Sequence, residues 1–204
     1  MIKKISVGVM MQTNCYILYD EGTKEAIVID PGYEDKDITD FICENGLKVN
    51  LIYLTHCHFD HIFGVDWLKK CINVPVVCLA EEKENLMNED INLGKAIIQK
   101  AVMVTPDKVV ADGDKIDVGN LKFKVLHTPG HTSGSSSLYG GGILISGDTL
   151  FKGTYGRCDL PTGSLYEMTK TLKEKIFKLP DNTVVYPGHG EITTIGAEKD
   201  DIEF

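Results

Sequence analysis

The chain has 204 residues, of which 43% are hydrophobic, and it carries a formal net charge of −9. This length allows one sizeable core, so we predict a single domain over residues 1–204. The acidic balance argues against a nucleic-acid partner, because such a partner requires a basic surface. The sequence shows neither an apolar stretch long enough to span a bilayer nor a signal-peptide pattern, so we predict a cytoplasmic protein without a membrane partner.

The first half of the sequence contains short apolar runs separated by turn signals and helical patterns. β-branched and aromatic residues predict strands at Ile2–Val9, Cys15–Tyr19, Ala26–Ile29, Val49–Leu54 and Val74–Leu79. Helices are predicted at Lys36–Glu44 and Phe63–Lys70. The charged stretch from Glu81 to Asn92 is typical of a solvated helix, and a lid over a site is the alternative interpretation.

The second half is also rich in short apolar runs. Strands are predicted at Lys108–Ala111, Leu121–Leu126, Ser135–Tyr139, Ile143–Ser146 and Thr183–Tyr186. A last helix is predicted at Leu165–Phe177. Strands thus alternate with helices in each half, and no linker-like tract separates the halves. The pattern predicts one α/β domain with two sheets and helices outside them.

A dense cluster of histidines follows the strand that ends at Leu54. Its spacing is His56-x-His58-x-Asp60-His61. Imidazole nitrogens and carboxylate oxygens are ligands that zinc and similar metals prefer. Alternate residues after a strand point to one side, so His56 and His58 are expected to act together. Asp60 and His61 then lie away from that side and can ligate a second ion. A turn rich in surface histidines is the alternative to a metal site.

Three later residues complete a candidate ligand set. His131 lies in a Pro-Gly turn after a strand, while Asp148 and His189 each follow an apolar strand directly. Strand ends are places where loops present functional groups on a rigid frame. With the first cluster, these residues make five histidines and two aspartates, which is an inventory for two metal ions. The remaining histidine, His127, has no partner in the pattern, and we interpret it as structural.

The order of these seven residues resembles that of the metallo-β-lactamase superfamily over nearly the whole chain. The resemblance implies a four-layer αββα sandwich of two mixed β-sheets flanked by helices, with the metals at one edge. It implies two divalent metal ions per chain, with zinc expected and iron or manganese as alternatives. It assigns the ligands to a first ion (His56, His58, His131), a second ion (Asp60, His61, His189) and a bridge between them (Asp148).

Further motifs resemble the glyoxalase II-like branch of that superfamily. They are Thr13-Asn14-Cys15-Tyr16, Asp30-Pro31-Gly32, Gly147-Asp148-Thr149-Leu150-Phe151, Gly156-Arg157-Cys158-Asp159-Leu160-Pro161 and Pro187-Gly188-His189-Gly190-Glu191. Full-length glyoxalase II enzymes carry a C-terminal helical domain that helps to bind glutathione. Only a short segment follows His189 in this sequence, so we expect that domain to be absent. Asp159 also stands where those enzymes place an aromatic substrate contact. The resemblance is therefore to short, single-domain glyoxalase II-like proteins.

The resemblance implies a hydrolase that cleaves a small thioester of the hydroxyacylglutathione type, with an acyl-thiol as its small-molecule partner. In this interpretation Asp60 orients the nucleophile while it ligates a metal, and Asp148 bridges the two ions. Arg157 follows a glycine-rich bend and is the candidate for gripping an acidic group of the substrate. A buried structural ion pair near the metals is the alternative role for Arg157.

Two other activities remain open at this point. Persulfide dioxygenases resemble this sequence, share its Gly-Arg-x-Asp motif and use one iron held by two histidines and an aspartate. A lactonase or another ester hydrolase of the same fold is the further alternative. The sequence makes no prediction of the oligomeric state.

Overall fold

The computed structural model describes residues 1–8 and 11–202. Its first sheet has six strands that lie side by side in chain order. They are β1 (Ile2–Val7), β2 (Thr13–Tyr19), β3 (Glu25–Ile29), β4 (Lys48–Leu54), β5 (Val76–Leu79) and β6 (Lys108–Val110). The pairs from β1 to β3 are antiparallel, whereas β3, β4, β5 and β6 pair in parallel. The first sheet is therefore mixed, as predicted.

The second sheet also has six strands. A separate two-stranded hairpin lies between two strands of this sheet in the sequence. The remaining strands are β7 (Lys115–Val118), β8 (Leu121–His127), β9 (Ser136–Gly140), β10 (Ile143–Gly147), β11 (Leu150–Phe151), β12 (Thr154–Tyr155), β13 (Val184–Pro187) and β14 (Thr193–Thr194). The order across the sheet is β14-β13-β10-β9-β8-β7, and β11 pairs with β12. Among these described strands, β10 and β13 pair in parallel and the other pairs are antiparallel.

The helices are mostly short. They are α1 (Lys36–Glu44), α2 (Phe59–Ile62), α3 (Val65–Ile72), α4 (Lys83–Leu86), α5 (Gly94–Ile98), α6 (Leu165–Glu174) and α7 (Ile195–Glu198). The two longest have capped N-termini, because Asp35 accepts from the backbone N–H of Asp37 and Ser164 from that of Glu167. Among the helices of residues 1–8 and 11–202, none has the length and apolar character needed to cross a membrane.

Three hydrophobic clusters show that the layers are helix, sheet, sheet and helix. On β2, Cys15 and Ile17 face a cluster shared with α1 and α3, whereas Tyr16 and Leu18 face the second sheet. This two-residue alternation is expected of a strand covered on both faces. A third cluster packs Leu144 of β10 against α6 and α7. The predicted four-layer αββα sandwich is confirmed.

The region around the histidine cluster differs from the prediction. The predicted helix Phe63–Lys70 is wrong in its bounds: α2 covers Phe59–Ile62, and α3 begins only at Val65. The break falls at Gly64, whose N–H donates to the carbonyl of Pro31, and a Cβ at Gly64 would collide with the backbone there. Asp60 and His61 therefore lie on a single helical turn rather than in a loop.

Contrary to the prediction, the second half does not alternate strands with helices. Strands β7 to β10 follow one another as antiparallel neighbours. Two-residue turns join β7 to β8 and β9 to β10, whereas the longer loop 128–135, which carries His131, joins β8 to β9. Strand β7 was not predicted, although its charged and apolar residues alternate, and β14 and α7 were not predicted either. The predicted helix Leu165–Phe177 ends at Glu174 and continues as a 3₁₀ turn. Strand β1 ends at Val7, and Val9 lies outside the described residues.

Candidate metal centre

The predicted ligands meet at one edge of the sandwich because each follows the end of a strand. His56 and His58 follow β4, and α2 then presents Asp60 and His61. The other three residues follow strands of the second sheet: His131 follows β8, Asp148 follows β10 and His189 follows β13. The parallel pairs β3–β4 and β10–β13 direct their carboxyl ends to this same edge.

Three histidines form a first group. Ring nitrogens of His56, His58 and His131 lie within 4.8 Å of one another, and all three residues are buried. Nδ1 of His58 lies 2.8 Å from Nε2 of His131. The ring centroid of His56 is 4.9 Å from that of His58 and 4.8 Å from that of His131. This convergence of nitrogens is the arrangement that a three-histidine metal site requires.

Asp60, His61 and His189 form a second group. Nε2 of His189 lies 3.2 Å from Oδ2 of Asp60 and 3.3 Å from Nε2 of His61. Nε2 of His61 lies 3.6 Å from the same Asp60 oxygen. Two imidazoles and one carboxylate thus converge, and the two groups are those that the family resemblance implied.

Asp148 lies between the two groups. Its Oδ2 is 3.4 Å from Nε2 of His131 and 4.0 Å from Nε2 of His56, both in the first group. The same oxygen is 3.4 Å from Nε2 of His189, and Oδ1 is 3.3 Å from Nε2 of His61. A single carboxylate therefore faces ligand atoms of both groups.

The donor atoms at this edge fit a metal centre. Nε2 of His56, Nε2 of His58 and Oδ1 of Asp148 are buried and have no hydrogen-bond partner among the described residues. Buried polar atoms without a partner are costly and uncommon in folded proteins. Their number and chemistry, imidazole nitrogen and carboxylate oxygen, match what divalent transition metals bind. A Cβ at Gly188 would collide with Asp148 and His61, so only glycine allows this close approach.

Four of the histidines are oriented by hydrogen-bond contacts at Nδ1, the ring nitrogen that lies away from the candidate metal centre. Nδ1 of His131 donates to the carbonyl oxygen of Arg157 at 2.8 Å, and Nδ1 of His189 donates to that of Gln12 at 2.8 Å. Nδ1 of His56 lies 3.1 Å from the hydroxyl of Thr55, and His61 uses an aspartate described below. In each case Nε2 is left pointing into the centre, which is how hydrogen bonds behind metal-binding histidines commonly orient the rings.

Asp30 contacts the candidate ligand His61, although the sequence pointed to it only as part of the Asp30-Pro31-Gly32 motif. Its Oδ2 lies 2.9 Å from Nδ1 of His61 and accepts from the hydroxyl of Thr55 at 2.6 Å, while Oδ1 accepts from the backbone of Thr55 at 2.8 Å. Asp30 is buried and adopts a left-handed backbone with φ of 51°. A non-glycine residue in that region is strained and often marks a functional position. Because its oxygens are already engaged, we interpret Asp30 as a positioning residue for His61.

The turn that carries His189 is held by β2. The side-chain amide of Asn14 and the hydroxyl of Tyr16 both donate to the carbonyl of Pro187, at 2.9 and 2.7 Å. The backbone N–H of Asn14 donates to the carbonyl of Gly188 at 2.7 Å. These contacts connect the first sheet to the ligand loop of the second.

Two histidines of the first group, His56 and His58, are neutral imidazoles. Burial lowers the pKa of His56 well below its usual value, and the nearby charge of His61 lowers it further. Burial also lowers the pKa of His58 to about 3, with a further contribution from His131. His56 and His58 are therefore unprotonated at neutral pH, the state that a metal ligand requires.

The second group lies in a strongly negative environment. Burial alone would lower the pKa of His61, but three carboxylates, that of Asp148 foremost, raise it well above its usual value. Burial would also lower the pKa of His189, but hydrogen bonds to Asp148 and Asp60 raise it to about 10. The neighbouring histidines in turn hold the pKa of Asp148 well below its usual value, although burial opposes this. Such an environment favours cations.

Glu82 is a second residue whose environment differs from the prediction. The stretch from Glu81 to Asn92 was predicted as a solvated helix, but Glu82 and Asn92 are fully buried. Oε1 of Glu82 accepts from the backbone of Cys57 and the hydroxyl of Thr132, both at 2.8 Å. Glu82 thereby joins the loop of the first two histidines to the loop of His131. Nothing in the sequence distinguishes Glu82 from its charged neighbours.

Arg157 lines the same cleft as the ligands, a cavity of about 430 Å³. Its guanidinium forms two hydrogen bonds of 2.8 Å with the carboxylate of Asp159, and both side chains are largely exposed. The pair is exposed, so it is not the buried ion pair that the alternative interpretation of Arg157 predicted.

Two further predicted residues lie apart from the ligand atoms. Nε2 of His127 lies 2.9 Å from the carbonyl oxygen of Ser133, and the structural role of His127 stays a prediction. Cys57 packs into the hydrophobic core, as the alternation of residues after β4 predicted.

Comparison with known proteins supports the fold and the family. A family model described as the metallo-beta-lactamase superfamily matches residues 8–189. A Bacillus subtilis (strain 168) protein named probable metallo-hydrolase YqgX is 34% identical over 205 residues, which cover 99% of this chain and 96% of that protein. The Haemophilus influenzae (strain ATCC 51907 / DSM 11121 / KW20 / Rd) protein named hydroxyacylglutathione hydrolase GloC is 31% identical over 193 residues, covering 92% of this chain and 90% of that protein.

Solved structures agree. BLEG-1, a B3 metallo-beta-lactamase, superposes with a TM-score of 0.91 and 35% identity, covering 98% of this chain and 97% of the other. TTHA1623 in a di-iron-bound form gives a TM-score of 0.84 and 32% identity, covering 98% of each chain. ETHE1 from Myxococcus xanthus superposes with a TM-score of 0.78 and 30% sequence identity, covering 98% of this chain and 82% of the other.

Proposed function

Because this chain belongs to the metallo-beta-lactamase superfamily, we propose that it is a two-metal hydrolase that cleaves a small thioester of the hydroxyacylglutathione type. The observation that carries the proposal is the position of Asp148, whose carboxylate faces ligand atoms of both groups. Two three-residue groups with a shared carboxylate suit two adjacent metal ions better than one. The likeness to hydroxyacylglutathione hydrolase GloC supports the choice of a thioester.

In this proposal, the seven candidate ligands are distributed over two metal ions. His56, His58 and His131 would hold the first ion, and Asp60, His61 and His189 the second. When bound, divalent ions supply a water of lowered pKa and a Lewis acid for a carbonyl group. We favour zinc, because imidazole and carboxylate ligands suit it, while the di-iron relative makes iron the first alternative and manganese remains another.

The chain's own residues would bind and orient the substrate and the nucleophilic water. The Asp60 side chain is fixed by the hydroxyl of Thr13, which donates to its Oδ2 at 3.0 Å. A carboxylate fixed in this way can accept a hydrogen bond from the attacking water while it ligates. The thiolate product needs no strong acid to leave, because thiols ionise readily. Arg157, at the rim of the cleft, would bind an acidic group of the substrate.

The decisive experiment is hydrolysis of S-D-lactoylglutathione by metal-loaded, metal-stripped and reconstituted protein. The proposal predicts turnover that is lost on stripping and restored by metal, with two ions bound per chain. The matched control is Asp117→Asn, an exposed carboxylate on β7, which should retain both activity and metal. Absence of turnover with two ions bound would refute the assignment of a hydroxyacylglutathione substrate.

A second candidate is a mononuclear iron persulfide dioxygenase. The observation that favours it is that Oδ2 of Asp148 lies 3.4 Å from Nε2 of His131 and 4.0 Å from Nε2 of His56. Two histidines and one carboxylate are the ligand set typical of non-haem iron oxygenases. One iron per chain with oxygen consumption on addition of glutathione persulfide would favour this activity. Two metals without oxygen consumption would exclude it.

A further inference from the structure

A second cavity, of about 470 Å³, opens beside the metal centre. Its walls come from the segment before β2, the turn after β3, α2 and α5. Asp60, a candidate ligand, is one of the residues that line this cavity, and Lys100 is another. No step of the proposed hydrolysis uses the space between them.

The walls of this cavity are mainly apolar and aromatic. The rings of Tyr33 and Phe63 stack with centroids 5.6 Å apart. Lys100 places its Nζ 4.5 Å from the centroid of Phe63, so its charge lies against an aromatic face. Ile97 of α5 and Met11 remain 47% and 44% exposed. Exposed apolar side chains that line one hollow are typical of a ligand site.

The cavity adjoins the metal cleft. Both are lined by Met11, Phe59, Asp60 and Ile97. A substrate whose carbonyl lies near Asp148 therefore has a mainly apolar cavity next to it. The polar and charged parts of a glutathione-like thiol do not suit these walls, whereas a hydrocarbon chain does.

We propose that this cavity binds the hydrocarbon chain of the substrate's acyl group, so that the protein prefers thioesters of medium-length aliphatic acids. This inference rests on the proposed thioester hydrolysis and specifies its substrate class. Aliphatic chains gain favourable free energy with each methylene buried, up to the point where the cavity is full.

The first test uses glutathione thioesters with acetyl, butanoyl, hexanoyl and octanoyl groups on metal-loaded protein. The inference predicts that kcat/KM rises by up to about fourfold for each added methylene until the cavity is filled. Ile97→Asp should remove this dependence on chain length. Leu165→Asp is the matched control, because Leu165 is 55% exposed and is not among the described residues that line either cavity. A flat series for the unmodified protein would overturn the inference and leave thioester hydrolysis standing.

The second test is independent of turnover. Calorimetric binding of butanoate, hexanoate and octanoate to metal-loaded protein should become tighter with chain length, and Ile97→Asp should abolish the trend. If this trend appears but no thioester is cleaved, the cavity assignment holds and the proposed hydrolysis fails. If Ile97→Asp instead converts an oligomer to a monomer and leaves the chain-length trend unchanged, the apolar surface is a contact between copies and the inference is overturned.

Discussion

Oδ2 of Asp30 lies 2.9 Å from Nδ1 of His61, on the side of the imidazole that faces away from the other candidate ligands. The contact joins the end of β3 to the helical turn after β4, and it directs Nε2 of His61 towards Asp148. A carboxylate behind a histidine fixes its tautomer and makes it a stronger ligand. Metal binding by the second group should therefore depend on a residue that need not touch the metal.

Replacement of Asp30 tests this dependence. Asp30→Asn can place an amide N–H where the carboxylate accepts the hydrogen bond from Nδ1 of His61. We therefore expect the metal affinity of the second group to fall by about 10–100-fold, with less effect on the first group. Competition with a chromophoric chelator measures both affinities. Asp117→Asn on β7 is the control for loss of one negative charge. Equal weakening of both groups would show that Asp30 acts through general stability instead.

Asp148 should determine whether the two groups act together. Asp148→Ala removes the carboxylate that faces both groups, so we expect one of the two metal ions to be lost and kcat/KM to fall at least about a hundredfold. Elemental analysis of the purified variant and thioester turnover give the two readouts. Unchanged metal content together with unchanged turnover would contradict the bridging role. Circular dichroism of the variant distinguishes loss of metal from loss of fold.

Glu82 should stabilise the two loops that carry the first group. Glu82→Ala leaves the buried N–H of Cys57 and the hydroxyl of Thr132 without their acceptor, at a cost to the free energy of unfolding of about 2–4 kcal/mol. Urea denaturation of metal-free protein measures this cost. Glu84→Gln, an exposed neighbour, is the control, and an equal loss of stability in both variants would contradict the role of Glu82.

The pKa of Glu82 gives a separate prediction about pH. Burial raises this pKa above the usual 4.5, although hydrogen bonds from Asn85, Thr132 and Cys57 oppose the rise. A carboxyl with a raised pKa stabilises the fold fully below 4.5 and loses that contribution as pH rises through the folded-state value. Glutamine does not titrate, so Glu82→Gln should be more destabilising near pH 4 than near pH 7, as urea denaturation at about these two pH values would measure. An equal effect at both pH values would contradict the raised pKa.

Whether a feature of the site could be predicted from the sequence depends on how far apart in the sequence the contacting residues are. The strand-end histidines and aspartates were predictable, because a dense cluster of such residues directly after an apolar strand is rare outside metal sites. Asp30 and Glu82 were not: each is a single acidic residue, and its partner lies 31 residues away in one case and 25 in the other. The break between α2 and α3 also depends on a tertiary contact, the close approach of Gly64 to Pro31. Local patterns carry no record of such contacts.

Arg157 acts on the site in two separable ways, through its side chain and through its carbonyl. The carbonyl accepts from Nδ1 of His131, and side-chain replacement does not remove it. Arg157→Ala should therefore keep its metal while KM for an anionic thioester rises several-fold, since one charge-assisted hydrogen bond is lost. The guanidinium is now paired with Asp159, so Asp159→Asn should release it and lower KM. Because that pair is exposed, its removal should leave the melting temperature nearly unchanged. Loss of metal in Arg157→Ala, or a KM insensitive to both substitutions, would return Arg157 to a purely structural role.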